Sequence, residues 1–193
     1  MRKLMTVALF GALAVTAQAG PIVQYLDGTF GYAGFFTNGE SFTTPGGGPW
    51  NSISFNFYSN SPATTPVAQG TAFLLSMAYA GTPAALSNAT PGFIASSTGN
   101  AGGIYTFNTA VTLQSNTQYW IFANVAFGIT GSTTAGTSAQ TLYDSNGGPF
   151  VSNPGQVANF TLSGVPEPST WALTGAALCV LAFFPRRTRR ARV

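Results

Sequence analysis

Apolar and polar residues alternate in short runs through most of this chain, and the two ends break the pattern. Residues 50–58 set Ile53, Phe55 and Phe57 on one face and Ser52, Ser54 and Asn56 on the other. A period of two marks a strand with one buried face. Residues 71–79 place Phe73, Leu75, Met77 and Tyr79 on one side and Leu74, Ser76 and Ala78 on the other, which predicts a central strand. Residues 118–125 are apolar on both sides, with Tyr119, Ile121, Ala123 and Val125 opposite Trp120 and Phe122. Weaker strand patterns cover 22–26, 31–36, 40–43, 104–107, 111–113, 142–143 and 157–162. Between residues 20 and 164 no run has the 3.6-residue period of a helix.

Turn formers separate these runs: Pro45-Gly46-Gly47-Gly48-Pro49, Asn60-Ser61-Pro62, Asn100-Ala101-Gly102-Gly103 and Asn146-Gly147-Gly148-Pro149. Many short strands between such breakers predict an all-β fold, an antiparallel β-sandwich of jelly-roll type. Residues 82–98, with Pro83, Pro91 and Gly92, are expected to form a long surface loop.

The ends have a different physics. Arg2 and Lys3 precede an apolar run over 4–15, and Ala17-Gln18-Ala19 is a small-x-small cleavage site. Residues 1–19 thus read as a signal peptide, cut by signal peptidase to leave Gly20 first. Its roughly 12 apolar residues fall short of the ~20 that span a bilayer. At the other end, 169–184 carries no charge and reaches about 24 Å as a helix. That is slightly less than the ~30 Å hydrocarbon slab, a gap that local thinning or snorkelling covers. Arg186, Arg187, Arg189, Arg190 and Arg192 follow. Clustered arginine stays cytoplasmic and acts as a membrane stop. The expectation is a transmembrane helix over 170–184, a basic tail over 185–193, and the middle of the chain outside.

Ahead of that helix stands Val165-Pro166-Glu167-Pro168-Ser169. Each proline fixes its own φ and pushes the preceding residue toward extended geometry. The peptide is therefore preorganised for an extended groove, at low ordering cost. Glu167 lies at the positive end of the following helix and marks the lipid–water boundary.

Motif, apolar helix and arginine cluster together resemble the PEP-CTERM sorting signal of Gram-negative bacteria, over residues 165–193. The resemblance implies a substrate of exosortase, a membrane-embedded cysteine transpeptidase. It implies recognition at Pro166, Glu167 and Pro168, removal of the helix and tail, and delivery from the inner membrane to the cell surface or extracellular matrix. Phe183, Phe184 and Pro185 depart from the leucine, glycine or alanine more usual at that end of the helix. The order Pro91-Gly92, a Tyr-Thr-Phe strand, then Leu113 and Gln118-Tyr119-Trp120 loosely resembles the β-sandwich passengers found upstream of this signal.

Composition sharpens the division. All seven basic residues lie in the two terminal signals, so the passenger over 20–164 has no Lys, Arg, His or Cys. Its acids are Asp27, Glu40 and Asp144, so its formal charge is −3 although the whole chain carries +3. Phosphate binding needs cationic side chains, so no nucleic-acid partner is expected. Zinc needs His or Cys, and Ser-His-Asp or Cys-His chemistry needs its base, so neither metal nor cofactor nor enzyme activity is expected. Cys179 lies in the apolar tail and permits no internal disulfide. Ser, Thr and Asn keep the surface wet in place of charge.

A few local features bear on function. Asp144-Ser145-Asn146-Gly147-Gly148 has the oxygen spacing of a calcium loop but lacks a later bidentate Glu, and an Asx-Gly hairpin accounts for it better. Asp27 and Glu40 are a weak candidate pair for glycoside hydrolysis. Asn88-Ala89-Thr90 and Asn159-Phe160-Thr161 match the glycosylation sequon but carry little weight in a bacterial chain. Among the aromatics, Trp50 and Trp120 are candidates for a sugar-stacking platform. Trp50 is expected at a loop edge beside the Gly-rich turn, and Trp120 more often fills a core. The first reading is a non-enzymatic exported surface or matrix protein, associated with biofilm exopolysaccharide. The alternative is a carbohydrate-binding module using exposed aromatics, and a hydrolase is the least favoured.

Overall fold

The computed structural model describes residues 18–32, 36–133 and 140–167. Residues 1–17 of the expected leader, with Ala17, the residue Pro168, the helix over 170–184 and the five tail arginines lie outside the described residues. Among those described, no helix is long and apolar enough to cross a membrane.

Among the described residues thirteen strands are present: β1 (Gly20–Tyr25), β2 (Phe30–Tyr32), β3 (Thr37–Thr43), β4 (Trp50–Phe57), β5 (Ala72–Leu75), β6 (Phe93–Ser96) and β7 (Tyr105–Thr106) in the first part. They are followed by β8 (Gln118–Ala126), β9 (Ile129–Ser132), β10 (Thr141–Ser145), β11 (Val151–Asn153), β12 (Val157–Ala158) and β13 (Phe160–Pro166). The described domain is all-β, and its paired strands run antiparallel. A four-stranded sheet has the order β1-β13-β4-β7, a six-stranded sheet β11-β10-β3-β8-β5-β6, and a three-stranded sheet β12-β9-β2.

The two larger sheets face each other, consistent with a β-sandwich. From the four-stranded side Phe55, Phe57, Phe160 and Leu162 enter the core, and from the six-stranded side Phe42, Leu74, Tyr119, Ile121 and Leu142. Phe42 spans the gap, with ring centroids 6.1 Å from Phe55 and 6.4 Å from Phe160. Phe55 stacks on Phe160 at 5.4 Å. Offset and edge contacts at these separations add stability beyond burial of the rings.

The outer face of the six-stranded sheet carries a second apolar cluster: Phe73, Leu75, Phe122 and Phe150, with Leu86 from the covering segment. This is why β5 and β8 are apolar on both sides. The segment expected as a surface loop over 82–98 instead covers this face and contributes strand β6, paired with β5. Phe150 N–H donates to Gly81 O at 3.0 Å and fastens the cover. Strand β5 ends at Leu75, so Met77 does not join the apolar face expected of it and is exposed. Residues 111–113 form no strand beyond an isolated bridge between Leu113 and Trp50.

The run expected as one strand over 157–162 divides at Asn159. Ahead of it β12 pairs with β9, and after it β13 joins β1 and β4. Asn159 is fully buried and its amide fixes the switch. Nδ2 donates to Gly28 O at 2.7 Å and to Thr130 Oγ1 at 2.8 Å, while Oδ1 accepts from Gly28 N–H at 2.8 Å. Its backbone N–H donates to Thr130 O and its carbonyl accepts from Tyr58 N–H. Tyr105 ties the 66–70 connection in a similar way: its hydroxyl donates to Gln69 O at 2.6 Å and accepts from Gln69 N–H at 3.1 Å. Burial pushes that phenol up to about 12.

Removing the Asn159 amide strands buried groups on two other segments. Asn159→Ala is expected to cost about 3–5 kcal/mol, read as a lower midpoint in urea denaturation. Asn159→Asp should fare little better, because a carboxylate cannot donate to Gly28 O. A variant as stable as the parent would show that the amide does not hold the switch.

Candidate functional site

Of the described residues with a sequence-based role, Ala19, Gly20, Pro166 and Glu167 come together at one end of the four-stranded sheet. Strand β1 starts at Gly20, whose register partner on β13 is Gly164. Adjacent paired strands lie about 5 Å apart. The expected signal-peptide junction, Ala19–Gly20, therefore stands beside the residue that precedes Val165. Gln18 and Ala19 are exposed and lie outside any strand.

Strand β13 does not stop where the motif starts. Val165 pairs with Asn51 and Pro166 with Trp50 on β4. A proline is tolerated here for a specific reason. Trp50 N–H donates to Leu113 O at 2.9 Å, and Trp50 O accepts from Leu113 N–H at 2.8 Å. Trp50 thus directs its backbone groups away from β13 and asks no donor of Pro166. Glu167 N–H then donates to Pro49 O at 2.9 Å. The Glu167 side chain accepts at Oε1 from Thr112 Oγ1 at 3.1 Å. Pro166 is exposed, and Val165 and Glu167 are half-buried. Thr112 and Pro49 were not identifiable as partners from the sequence, which shows 111–113 only as a weak strand pattern.

Trp50 requires a correction. It was expected at a loop edge, open to a ligand, but it is only 6% exposed and belongs to the main core. The Gly-rich turn folds down onto the ring instead of presenting it. A Cβ on Gly48 would overlap the indole of Trp50, so glycine is what permits the approach. Trp120 lies on the outer face of β8, partly exposed, and its Nε1–H donates to Tyr143 Oη at 3.2 Å. The structure does not bring the two tryptophans together: one is in the core between the sheets and the other at the rim of the outer cluster.

Asp27 and Glu40 do not make an acid–base pair in a cleft. Asp27 is exposed, whereas Glu40 is fully buried. Glu40 Oε2 accepts from Ala158 N–H at 2.9 Å, and Oε1 has no hydrogen-bond partner. Burial holds its carboxyl well above the usual range, with the backbone N–H groups of Ala158, Thr141 and Ser41 pulling the other way. Asp144 is part of a β10–β11 hairpin, and its Oδ2 accepts from Asn153 Nδ2 at 2.9 Å. Ser145 Oγ closes that turn on Gly148 O. No group of three His, Cys, Asp or Glu that could hold a metal occurs among the described residues. The Asn159 amide is consumed by the sheet switch described above. Asn88 is exposed.

No protein-family profile, curated protein or solved structure matches this chain.

Glu40 makes a pH prediction with a definite sign. A buried carboxyl keeps its proton in the folded state after the unfolded chain has released it at about 4.3. Stability is therefore highest below that value, falls as pH rises toward the folded-state value, and levels off above it. Glu40→Gln mimics the protonated side chain and keeps an acceptor for Ala158 N–H. Urea denaturation from pH 4 to 9 should show the fall in the parent domain and a nearly flat profile in the variant. Parallel profiles would assign the dependence elsewhere.

Proposed function

We propose that this chain is an exported, non-enzymatic cell-surface or extracellular-matrix protein. In this reading a jelly-roll-like sandwich is carried outside and sorted through the C-terminal PEP-CTERM-type signal. The observation that supports it most is the convergence of both ends. Gly20 and Gly164 are register partners, so the leader and the sorting segment leave the domain side by side. A domain with its two membrane-directed segments at one end can sit outside one membrane with both engaged, and be released there by a cut at each junction. Signal peptidase and exosortase are the processing partners this implies, with a Gram-negative cell surface and its exopolysaccharide as the destination.

The domain's chemistry fits such a setting. Residues 18–167 contain no Lys, Arg or His, and acidic side chains accept from neutral donors: Glu40 from Ala158 N–H, Asp144 from Asn153 and Glu167 from Thr112. Interactions of this kind are less sensitive to ionic strength than ion pairs.

A second reading is favoured by Trp120. Its partly exposed indole, braced by the Tyr143 hydroxyl, offers a stacking face for a sugar ring. Trp50, buried under Gly48, does not contribute to it.

Replacing Pro166, Glu167 and Pro168 together with alanine is expected to leave the protein in the inner membrane. Fractionation followed by immunoblotting reads this, and release at the parent level would reject the sorting reading. For the second reading, the purified domain should be retained on immobilised exopolysaccharide and lose at least tenfold in retention in Trp120→Ala. Equal retention of parent and variant would remove Trp120 from any such role.

A further inference from the structure

The sorting motif is a docked strand end and not a free tail. Among the described residues it is held by the Val165–Asn51 and Pro166–Trp50 pairs, the bond from Glu167 N–H to Pro49 O at 2.9 Å, and the bond from Thr112 Oγ1 to Glu167 Oε1 at 3.1 Å. On its other side β1 has begun at Gly20, opposite Gly164, so among the described residues Val165 and Pro166 have no strand partner there. The segment is thus fixed along one edge by β4 and by a single side chain, while Phe160 and Leu162, earlier on the same strand, are buried in the core.

We infer that the folded domain masks its own processing motif, and that Val165–Glu167 must peel off β4 before the processing enzyme reads it. This rests on the sorting reading given above. An enzyme that binds an extended peptide in a groove uses the peptide's backbone N–H and C=O groups and surrounds its side chains. Here Val165 is paired with Asn51 on β4 and Glu167 N–H is committed to Pro49 O. The Glu167 carboxylate, the only charge in the motif, already has Thr112 on one oxygen. A groove therefore competes with the sheet for the same atoms. Few contacts hold the segment, so its release is a local opening that leaves the core intact. Thr112 and Pro49 act as positioning residues for the motif. The closed state keeps the motif unread until the segment opens, and the opening equilibrium sets the rate of processing.

Pulse-chase of the full chain in a Gram-negative host that carries an exosortase tests this. Thr112→Val removes one charge-assisted hydrogen bond and should speed processing about tenfold. It should also lower the hydrogen-exchange protection of the Glu167 amide in the purified protein by a similar factor, with core amides such as that of Leu162 unchanged. A six-residue Gly/Ser spacer between Gly164 and Val165 keeps the motif intact while moving it off the sheet, and should be processed at least as fast as Thr112→Val. Parent-like rates in both variants, with the triple alanine variant still blocked, would overturn the masking while leaving the sorting reading in place. Parent-like processing of the triple alanine variant would overturn the sorting reading and this inference with it.

Discussion

Strand β13 is bonded to β1 on one side and to β4 on the other, and the rest of the domain is arranged around that position. Its inward residues, Phe160 and Leu162, meet Phe55 and Phe42 at the centre of the core. Its start is fixed by Asn159, where the chain leaves one sheet and enters another. Its end runs without a break into Pro166-Glu167, the segment we propose as a sorting motif, because Trp50 makes no demand on Pro166 for a hydrogen bond. The strand therefore links the core, the convergence of the two ends and the state of the motif. A change that loosens β13 would be felt at all three.

The domain solves its polar problems without cations. Buried or half-buried acceptors are met by amides and hydroxyls: Asn159 on Gly28, Tyr105 on Gln69, and Thr44, whose hydroxyl donates to Gln114 O at 2.6 Å and accepts from Thr117 N–H at 3.0 Å. Each such bond is worth about 1 kcal/mol net, and losing one partner of a buried pair costs more. The arrangement leaves some strain. Asn38 Oδ1, Glu40 Oε1 and Ser41 Oγ, all on β3, are buried without partners. For Glu40 the cost falls on the charged form, since burial disfavours the carboxylate and no cation stands beside it among the described residues.

The parts of the fold legible in the sequence were those in which one physical signal dominated. Strands β4 and β8 follow from aromatic and branched residues at a period of two, and β8 from its apolar character on both faces. The first half of β3 was not legible, because Thr37-Asn38-Gly39 looks like a loop. These residues are buried in a strand because Gly39 lets the Phe122 ring lie against the backbone, where a Cβ would collide. Strand β6 was hidden among prolines and β9 among Gly and Thr, both supported by tertiary pairing and not by propensity. The Pro166-Glu167 segment, whose sorting role is a proposal, was conspicuous in the sequence from its prolines and its neighbours. Its docking was not, because the partners Pro49 and Thr112 are distant in the chain and carry no pattern of their own. Trp50 misled for the same reason: a Gly-rich turn signals flexibility, and in this fold it closes over the ring.

We propose a chain divided into disposable ends and a β-domain without cationic side chains that leaves the cell. The intact mass of the extracellular form tests that division most directly. The account predicts a species that starts at Gly20, ends at or near Pro166–Pro168 and lacks Arg186, Arg187, Arg189, Arg190 and Arg192. An extracellular species whose mass includes those arginines would contradict it.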